Sequence, residues 1–374
     1  MSFTIPTKQK ALVIPAAHAP FEVQETDVPQ PGAGDVLIRA ESVGLNPFDW
    51  KVQEYDPFKS KYPLIFGCEA AGTVVQSGAG VTSLAVGDKV LHAAWIDYPA
   101  FQQYNLAPAD LCVKVPSNLT LDQAASVPQA FDTALIGLYC HPENNGGANL
   151  TPFWRDGGRG KYAEQPILVL GGSASISQPG KLLDSSLITL SLINDQPHPA
   201  IQFARLSGFS PIITTASLKN TSFLTSLGAT HVLDRNLSAA AFTSAVRDIL
   251  AGKPLRLVYE GVSDVDIQRA AFELLAPEGQ YIGGGGADGL SPEQRNNKEK
   301  QFISPYGSPF MEDRRQMCVS FYKQLTPLLE SGELKPNNIE VLSGGWNGAI
   351  AGLKRMKEGG VSAQKLVVHP FDTV

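Results

Sequence analysis

The chain is predicted to be an α/β protein in two parts, a β-rich part at the front and a doubly wound parallel sheet behind it. Three observations predict this. Short apolar runs broken by Gly, Pro and Asp continue to about residue 115, helical apolar spacing begins at Thr120, and strand and helix patterns alternate from Ile167 onward. With 374 residues, 43% of them hydrophobic, the chain is long enough to need two cores and rich enough to fill them.

In the first part Ala11–Ile14, Asp35–Ala40, Ala71–Val75, Gly87–Leu91 and Cys112–Val115 read as strands bounded by turns. LDQAASVPQAFDTALIGLY, from Leu121, places its apolar residues at helical spacing and reads as the passage into the second part. There ILVLGG at 167–172, Ser210–Ser217, His231–Arg235, 255–262 and 280–286 read as strands, with helices over 200–208, 222–229, 237–253 and 265–279 between them. Such alternation predicts a parallel sheet covered on both faces. A helix near Met317–Gly332 and a closing strand Leu366–His369 then return to the first part.

Charge narrows the function. A net charge of −6, with Lys and Arg scattered, supplies no basic stripe for nucleic acid and no polybasic membrane arm. No segment reaches 18 uninterrupted apolar residues and the N-terminal run is too short for a signal, so a cytoplasmic protein is expected. Cys68, Cys112, Cys140 and Cys318 lie far apart, which predicts reduced structural thiols.

The segment from Ile167 to Ile176 reads as a buried strand running into a glycine-rich phosphate turn, with Gly171, Gly172, Ser173 and Ser175 as the candidate cofactor contacts. The helix that should follow resumes only near Ala200. Pro179–His198 intervenes, about twenty residues where roughly 2–6 are usual. At the end of the second strand an acidic residue would select NAD by bonding the ribose 2′-hydroxyl. This chain has Thr214-Thr-Ala-Ser-Leu-Lys-Asn220 there, so Ser217 and Lys219 either take a 2′-phosphate, pointing to NADP(H), or serve as a helix cap and a solvated cation. Gly284 and Gly285, within Gly283–Gly286, would let the backbone approach a nicotinamide.

Five further stretches, in order, carry a family resemblance: Gly44–Lys51 (GLNPFDWK), Gly67–Val75, Val86–Val90, Ala124–Pro128 and Gly359–Val367. Together they resemble the medium-chain dehydrogenase/reductase superfamily, in particular its zinc-free quinone and enoyl reductases, among them the fungal trans-acting enoyl reductases of polyketide pathways. The resemblance implies a GroES-like β-barrel catalytic domain from 1–125 and 303–374 and a Rossmann domain from 126–302, interrupted at 179–198. It further implies NADP(H), a small enone, enoyl thioester or quinone as partner, and a monomer or homodimer.

Zinc-dependent relatives place a Cys near 44–46 and a His-Glu pair near 68–69, followed by a four-Cys lobe. This chain has Leu45-Asn46 and Cys68-Glu69 and lacks the lobe, so no metal is expected. The resemblance puts Asn46, Asp49 and Lys51 on the loop facing nicotinamide and substrate. Lys51 would then donate to the substrate carbonyl or orient a phosphate arm, and Asn46 would hold substrate or ribose; the alternatives are a turn before Pro47 and, for Asp49, a helix cap. Thr133 either meets the nicotinamide ribose or bonds its own backbone. His141–Gln165, with Phe153 and Trp154, is either a lid at the substrate mouth or a surface loop.

Removing Pro179 to about His198 would restore the family's strand-turn-helix unit. We read the piece as a translated short intron, an idea that fails if the coding DNA lacks GT and AG borders there. The competing function is a cofactor-deficient family member with at most a scaffold role, because pyrophosphate binding needs helix amides directly behind the turn.

Overall fold

The computed structural model describes residues 4–143, 146–171, 198–261, 264–283, 289–305 and 308–373. They fall into two compact units, 4–129 with 309–373, and 130–171 with 198–308.

The first unit contains β1 (Lys8–Ile14), β2 (Glu22–Asp27), β3 (Asp35–Gly44), α1 (Pro47–Tyr55), β4 (Leu64–Ile65), β5 (Glu69–Ser77), β6 (Lys89–Ala93), β7 (Tyr104–Pro108) and β8 (Cys112–Lys114). β1 pairs antiparallel with β2 and β4, while β3, β5, β6 and β8 form an antiparallel ladder that β7 joins on β3. The closing strand Lys365–Val368 pairs with Val43 and Gly44 of β3 and runs parallel to Ile339–Leu342. Strand periodicity sorts β3 onto two faces, because successive side chains point oppositely. Val36 and Ile38 pack with Val74 and Val90, whereas Leu37 packs with Val28 and Val75. The helix Gly345–Lys357 buries Trp346 completely, 5.9 Å from the Phe101 ring, and the indole N–H donates to the Lys10 carbonyl at 3.2 Å. A residue so buried typically costs about 3–5 kcal/mol when cut to Ala.

The second unit contains β9 (Ile167–Leu170), β10 (Ile212–Ala216), β11 (His231–Asp234), β12 (Leu255–Glu260), β13 (Leu275–Gly283) and β14 (Gln301–Ile303). Their spatial order is β11-β10-β9-β12-β13-β14, all parallel, which in chain order is 3-2-1-4-5-6. This is the dinucleotide-fold order. Every residue of β9 is buried, as expected of a central strand covered on both faces. Leu168, Leu170, Ile213 and Val258 meet Phe242, Val246 and Phe272 from the helices Ala239–Leu250 and Val265–Leu274.

Three readings of the sequence change. The helical passage is two helices, Leu121–Ala124 and Pro128–Tyr139, because a residue preceding proline is driven from the α region and proline suits a helix start. The helix read as 265–279 stops at Leu274: Pro277 follows, Glu278 has φ of 61°, and β13 starts at Leu275 with a register shift against β12. The stretch after Tyr139, read as a lid or a surface loop, is anchored through its aromatic side chains while 155–157 and 163–165 stay exposed. Phe153 lies 5.3 Å from the Phe203 ring, Trp154 lies 5.0 Å from Tyr139, and the amides of Gly160 and Tyr162 donate to the carbonyls of Leu206 and Ser207.

The helix expected from Ala200 runs His198–Ser207, with Ile201, Phe203 and Ala204 buried, in the connection between β9 and β10. Pro179–His198 lies outside the described residues apart from His198, which is buried and edge-on to Phe223 at 5.1 Å.

Candidate functional site

In the first unit, chemistry gathers where β3 gives way to α1. Gly44 ends β3 so tightly that a Cβ there would stand 2.5 Å from Glu69 Oε1 and 2.6 Å from the Ala125 carbonyl oxygen, which only glycine tolerates. The Leu45 amide donates to Leu366 on the closing strand at 2.9 Å. Asn46 is then the N-cap of α1, in extended conformation, with Pro47 in the first turn. Its amide N–H donates to Asp49 Oδ2 at 2.7 Å, so Asp49 does cap the helix, from inside the protein.

The side chain of Asn46 is fully buried. Its Nδ2 donates to Glu69 Oε1 at 3.0 Å, and its Oδ1 accepts from the Lys365 ammonium. Lys365 Nζ also lies 2.6 Å from Glu69 Oε1, and the second Glu69 oxygen accepts the Gln129 amide at 2.9 Å. Cys68 donates its thiol hydrogen to Asp49 Oδ1 at 3.4 Å. Burial pushes the Asp49 carboxyl up to about 8, opposed by the Asn46 amide and Cys68, and also pushes the Cys68 thiol well up. At physiological pH the thiol is therefore protonated and the Asp49 carboxyl is largely so.

The positions that hold zinc ligands in zinc-dependent relatives are thus occupied by an amide, a thiol and a carboxylate gathered around a lysine cation. Among the described residues no cluster of His, Cys, Asp and Glu has metal-holding geometry.

Lys51 follows on α1, buried, with Nζ 5.9 Å from the Trp50 ring centroid. Beside it an aromatic wall forms: Phe48 stacks on Trp95 at 5.8 Å and 8°, with Phe58 and Phe66 edge-on to Trp95. Tyr55, the other acid near this loop, is half-buried, and desolvation raises its hydroxyl pKa, so it keeps its proton.

In the second unit the carboxyl ends of the strands carry the remaining candidates. Gly171 follows β9 with φ of 79°, and its amide donates to Thr215 Oγ1 at 2.9 Å. Ser217 precedes a 3-10 turn, Leu218–Asn220, without a side-chain bond to cap it, and Lys219 within that turn is exposed. Thr133 is half-buried on the helix Pro128–Tyr139. Gly283 ends β13, where a Cβ would press on the Phe302 ring at 2.9 Å. Gly172, Ser173, Ser175, Gly284 and Gly285 lie outside the described residues. Sequence reasoning missed Lys365 and Glu69 as partners of Asn46; the available signal was a charge at the head of each of two otherwise uncharged strands.

The sequence matches two family descriptions, "Alcohol dehydrogenase GroES-like domain" over residues 32–117 and "Zinc-binding dehydrogenase" over residues 198–321. The second match begins at residue 198, the first described residue after the interrupted turn. Among curated proteins the chain is 27% identical to a trans-enoyl reductase of Gibberella fujikuroi, covering 92% of this chain and 93% of that one. It is 25% identical to the trans-enoyl reductase traG of Penicillium crustosum, covering 97% of each. Among solved structures, an alcohol dehydrogenase superfamily protein from Novosphingobium aromaticivorans superposes with a TM-score of 0.72 at 23% identity, over 96% of this chain and 99% of that one. A mycobacterial quinone oxidoreductase superposes with a TM-score of 0.67 at 22% identity, over 97% of this chain and all (100%) of that one. Both share the fold.

Proposed function

The chain belongs to the medium-chain dehydrogenase/reductase superfamily, in its zinc-free enoyl/quinone reductase type, and from that premise we propose an NADPH-dependent reductase of activated carbon–carbon double bonds or quinones. The observation that carries the reading is the corner at 44–69, where a lysine cation fills the ligand set and leaves carbonyl polarisation to hydrogen-bond donors.

The second unit fits a dinucleotide. The carboxyl ends of β9, β10, β12 and β13 lead into Gly171, Ser217, Gly261 and Gly283, small residues over which a pyrophosphate and ribose can lie. Ser217 and Lys219 would hold a 2′-phosphate, and the sequence 214–220 has no carboxylate to repel it. Thr133 would meet the nicotinamide ribose. The cofactor, when bound, supplies the hydride. Lys51 would donate to the substrate carbonyl and stabilise the enolate oxygen as charge develops, a contribution of several kcal/mol for oriented donors in a dry site. Asn46, whose amide is spent on Glu69 and Lys365, would hold α1 in place, with no substrate contact of its own. The aromatic wall around Phe48 and Trp95 suits an apolar acyl chain.

A second reading has its own observation. In the sequence about twenty residues, Pro179–His198, separate the glycine turn from Ala200 where roughly 2–6 are usual, and Pro199 has no amide to offer a phosphate. A chain so built would bind cofactor poorly and act at most as a scaffold.

One paired measurement separates the readings. Purified full-length chain is titrated with NADPH by nicotinamide fluorescence and assayed with a 2-enoyl pantetheine thioester, alongside a chain lacking Pro179–His198. Saturable binding and turnover by the full chain support the reductase. Binding by the shortened chain alone supports the deficient reading, and binding by neither sinks the reductase.

A further inference from the structure

The first unit buries more charge than a β-barrel core requires. Lys365 and Glu69 are 1% and 0% exposed, with Asp49 and Cys68 equally enclosed beside them. Each buried ion gives up several kcal/mol of solvation, and a well-packed apolar pair would often fill such a space at no loss of stability. The pair is therefore poorly explained by stability alone, and its hydrogen bonds show what it holds.

Lys365, Asn46 and Glu69 bond one another in a closed triangle: ammonium to amide oxygen, amide nitrogen to carboxylate, ammonium to carboxylate. The free edge of Asn46 is taken as well, since its backbone N–H is held by Asp49. The Asn46 side chain at the start of α1 is thus tied, directly through Oδ1 and through Glu69, to a cation that arrives from the closing strand. Lys51 rides on the second turn of that helix.

We propose that Lys365 is a positioning residue for the reductase reaction: its ammonium is the built-in cation of the 44–69 corner, clamping Asn46 to Glu69 and so fixing the approach of Lys51 to the substrate. The proposal rests on the enoyl reductase reading above. Lys365 does not touch substrate; it acts through Asn46 and α1. The corner gains a cation tethered by the chain itself, with defined bonds to Asn46 and Glu69.

The test removes both charges together, Lys365→Met with Glu69→Gln, because Lys365→Met alone strands a buried carboxylate. Hydrogen exchange is followed at the amides of 46–51 and of β1, beside kcat and KM. The expected result is exchange about tenfold faster at 46–51 with β1 unchanged, and kcat lowered about tenfold with KM for NADPH within about twofold. Wild-type exchange at 46–51, or faster exchange with wild-type kcat, overturns the proposal. If the double variant does not fold, Asn46→Ala cuts the clamp while keeping the ion pair. Faster exchange at 47–51 with lowered kcat then supports the proposal, and wild-type values overturn it. A wild-type chain that reduces no enoyl thioester sinks the enzyme reading alone, and exchange in the variants still decides whether Lys365 clamps α1.

Discussion

The Gly171 amide donates to the Thr215 hydroxyl at 2.9 Å, so the glycine turn after β9 is stapled to the neighbouring strand β10. Thr215 is buried, and its hydroxyl ties the turn after β9 to β10, the two strands at whose ends the proposed phosphate and ribose contacts would lie. Thr215→Val keeps the volume and removes the acceptor, leaving the Gly171 amide without its partner. A lost neutral hydrogen bond of about 1 kcal/mol corresponds to roughly fivefold in affinity. The dissociation constant for NADPH is expected to rise by about that factor, while Thr215→Ser holds it near wild type; equal constants in fluorescence titrations of all three would refute the staple.

In the proposed reading, cofactor choice would rest on Ser217 and Lys219, at the 3-10 turn after β10. A charge-assisted bond to a phosphate is worth about 1.5–3 kcal/mol, roughly ten- to a hundredfold. Lys219→Glu should therefore weaken NADPH by at least about tenfold and leave NADH within about twofold. Competition titrations with the two cofactors measure this, and a parallel loss of both would assign Lys219 to general electrostatics.

How far the sequence was legible follows from where each signal lies. β9 is a wholly buried apolar run, β10 is buried throughout and β12 mostly so, and their alternation with helices along the chain already implied a parallel sheet. β2, with sequence EVQETD, sits at a sheet edge with mostly polar, partly exposed side chains and gives no apolar alternation to read. The early start of β13 was hidden because Leu274-Leu275 continues the helical spacing until Pro277 ends it. Asn46 and Asp49 stood out locally. Their partner Lys365 did not, being 319 residues away on a strand that only the folded ladder brings to β3.

Lys51 is the donor assigned to the developing enolate. Lys51→Met preserves the aliphatic stem that packs in α1 and removes the ammonium, so folding should be little changed. Removing one oriented donor of this kind costs about 10²–10³ in kcat. The expected signature is a kcat fall of that size with KM for the enoyl thioester within about threefold. A raised KM at unchanged kcat would instead make Lys51 a binding contact for the thioester arm.

Asp49 makes stability depend on pH. Its carboxyl titrates near 8 in the folded protein, mainly because burial disfavours the charge, against 3.8 for an ordinary aspartate. The groups facing it are Cys68, which is held protonated, Glu69 and Lys365. A raised pKa means the folded state binds the extra proton, so the stabilising contribution is complete below about pH 4 and is lost as pH rises through about 8. At about 1.4 kcal/mol per pKa unit over roughly four units, the loss across that window has an upper bound of about 6 kcal/mol. Asp49→Asn keeps an oxygen to accept the Asn46 amide and cannot ionise. Urea midpoints for wild type should therefore fall between pH 5 and 9, while those of the variant stay flatter and cross above wild type on the alkaline side. Parallel curves would show that Asp49 stays ionised in the folded protein and that the Lys365 cation compensates its burial.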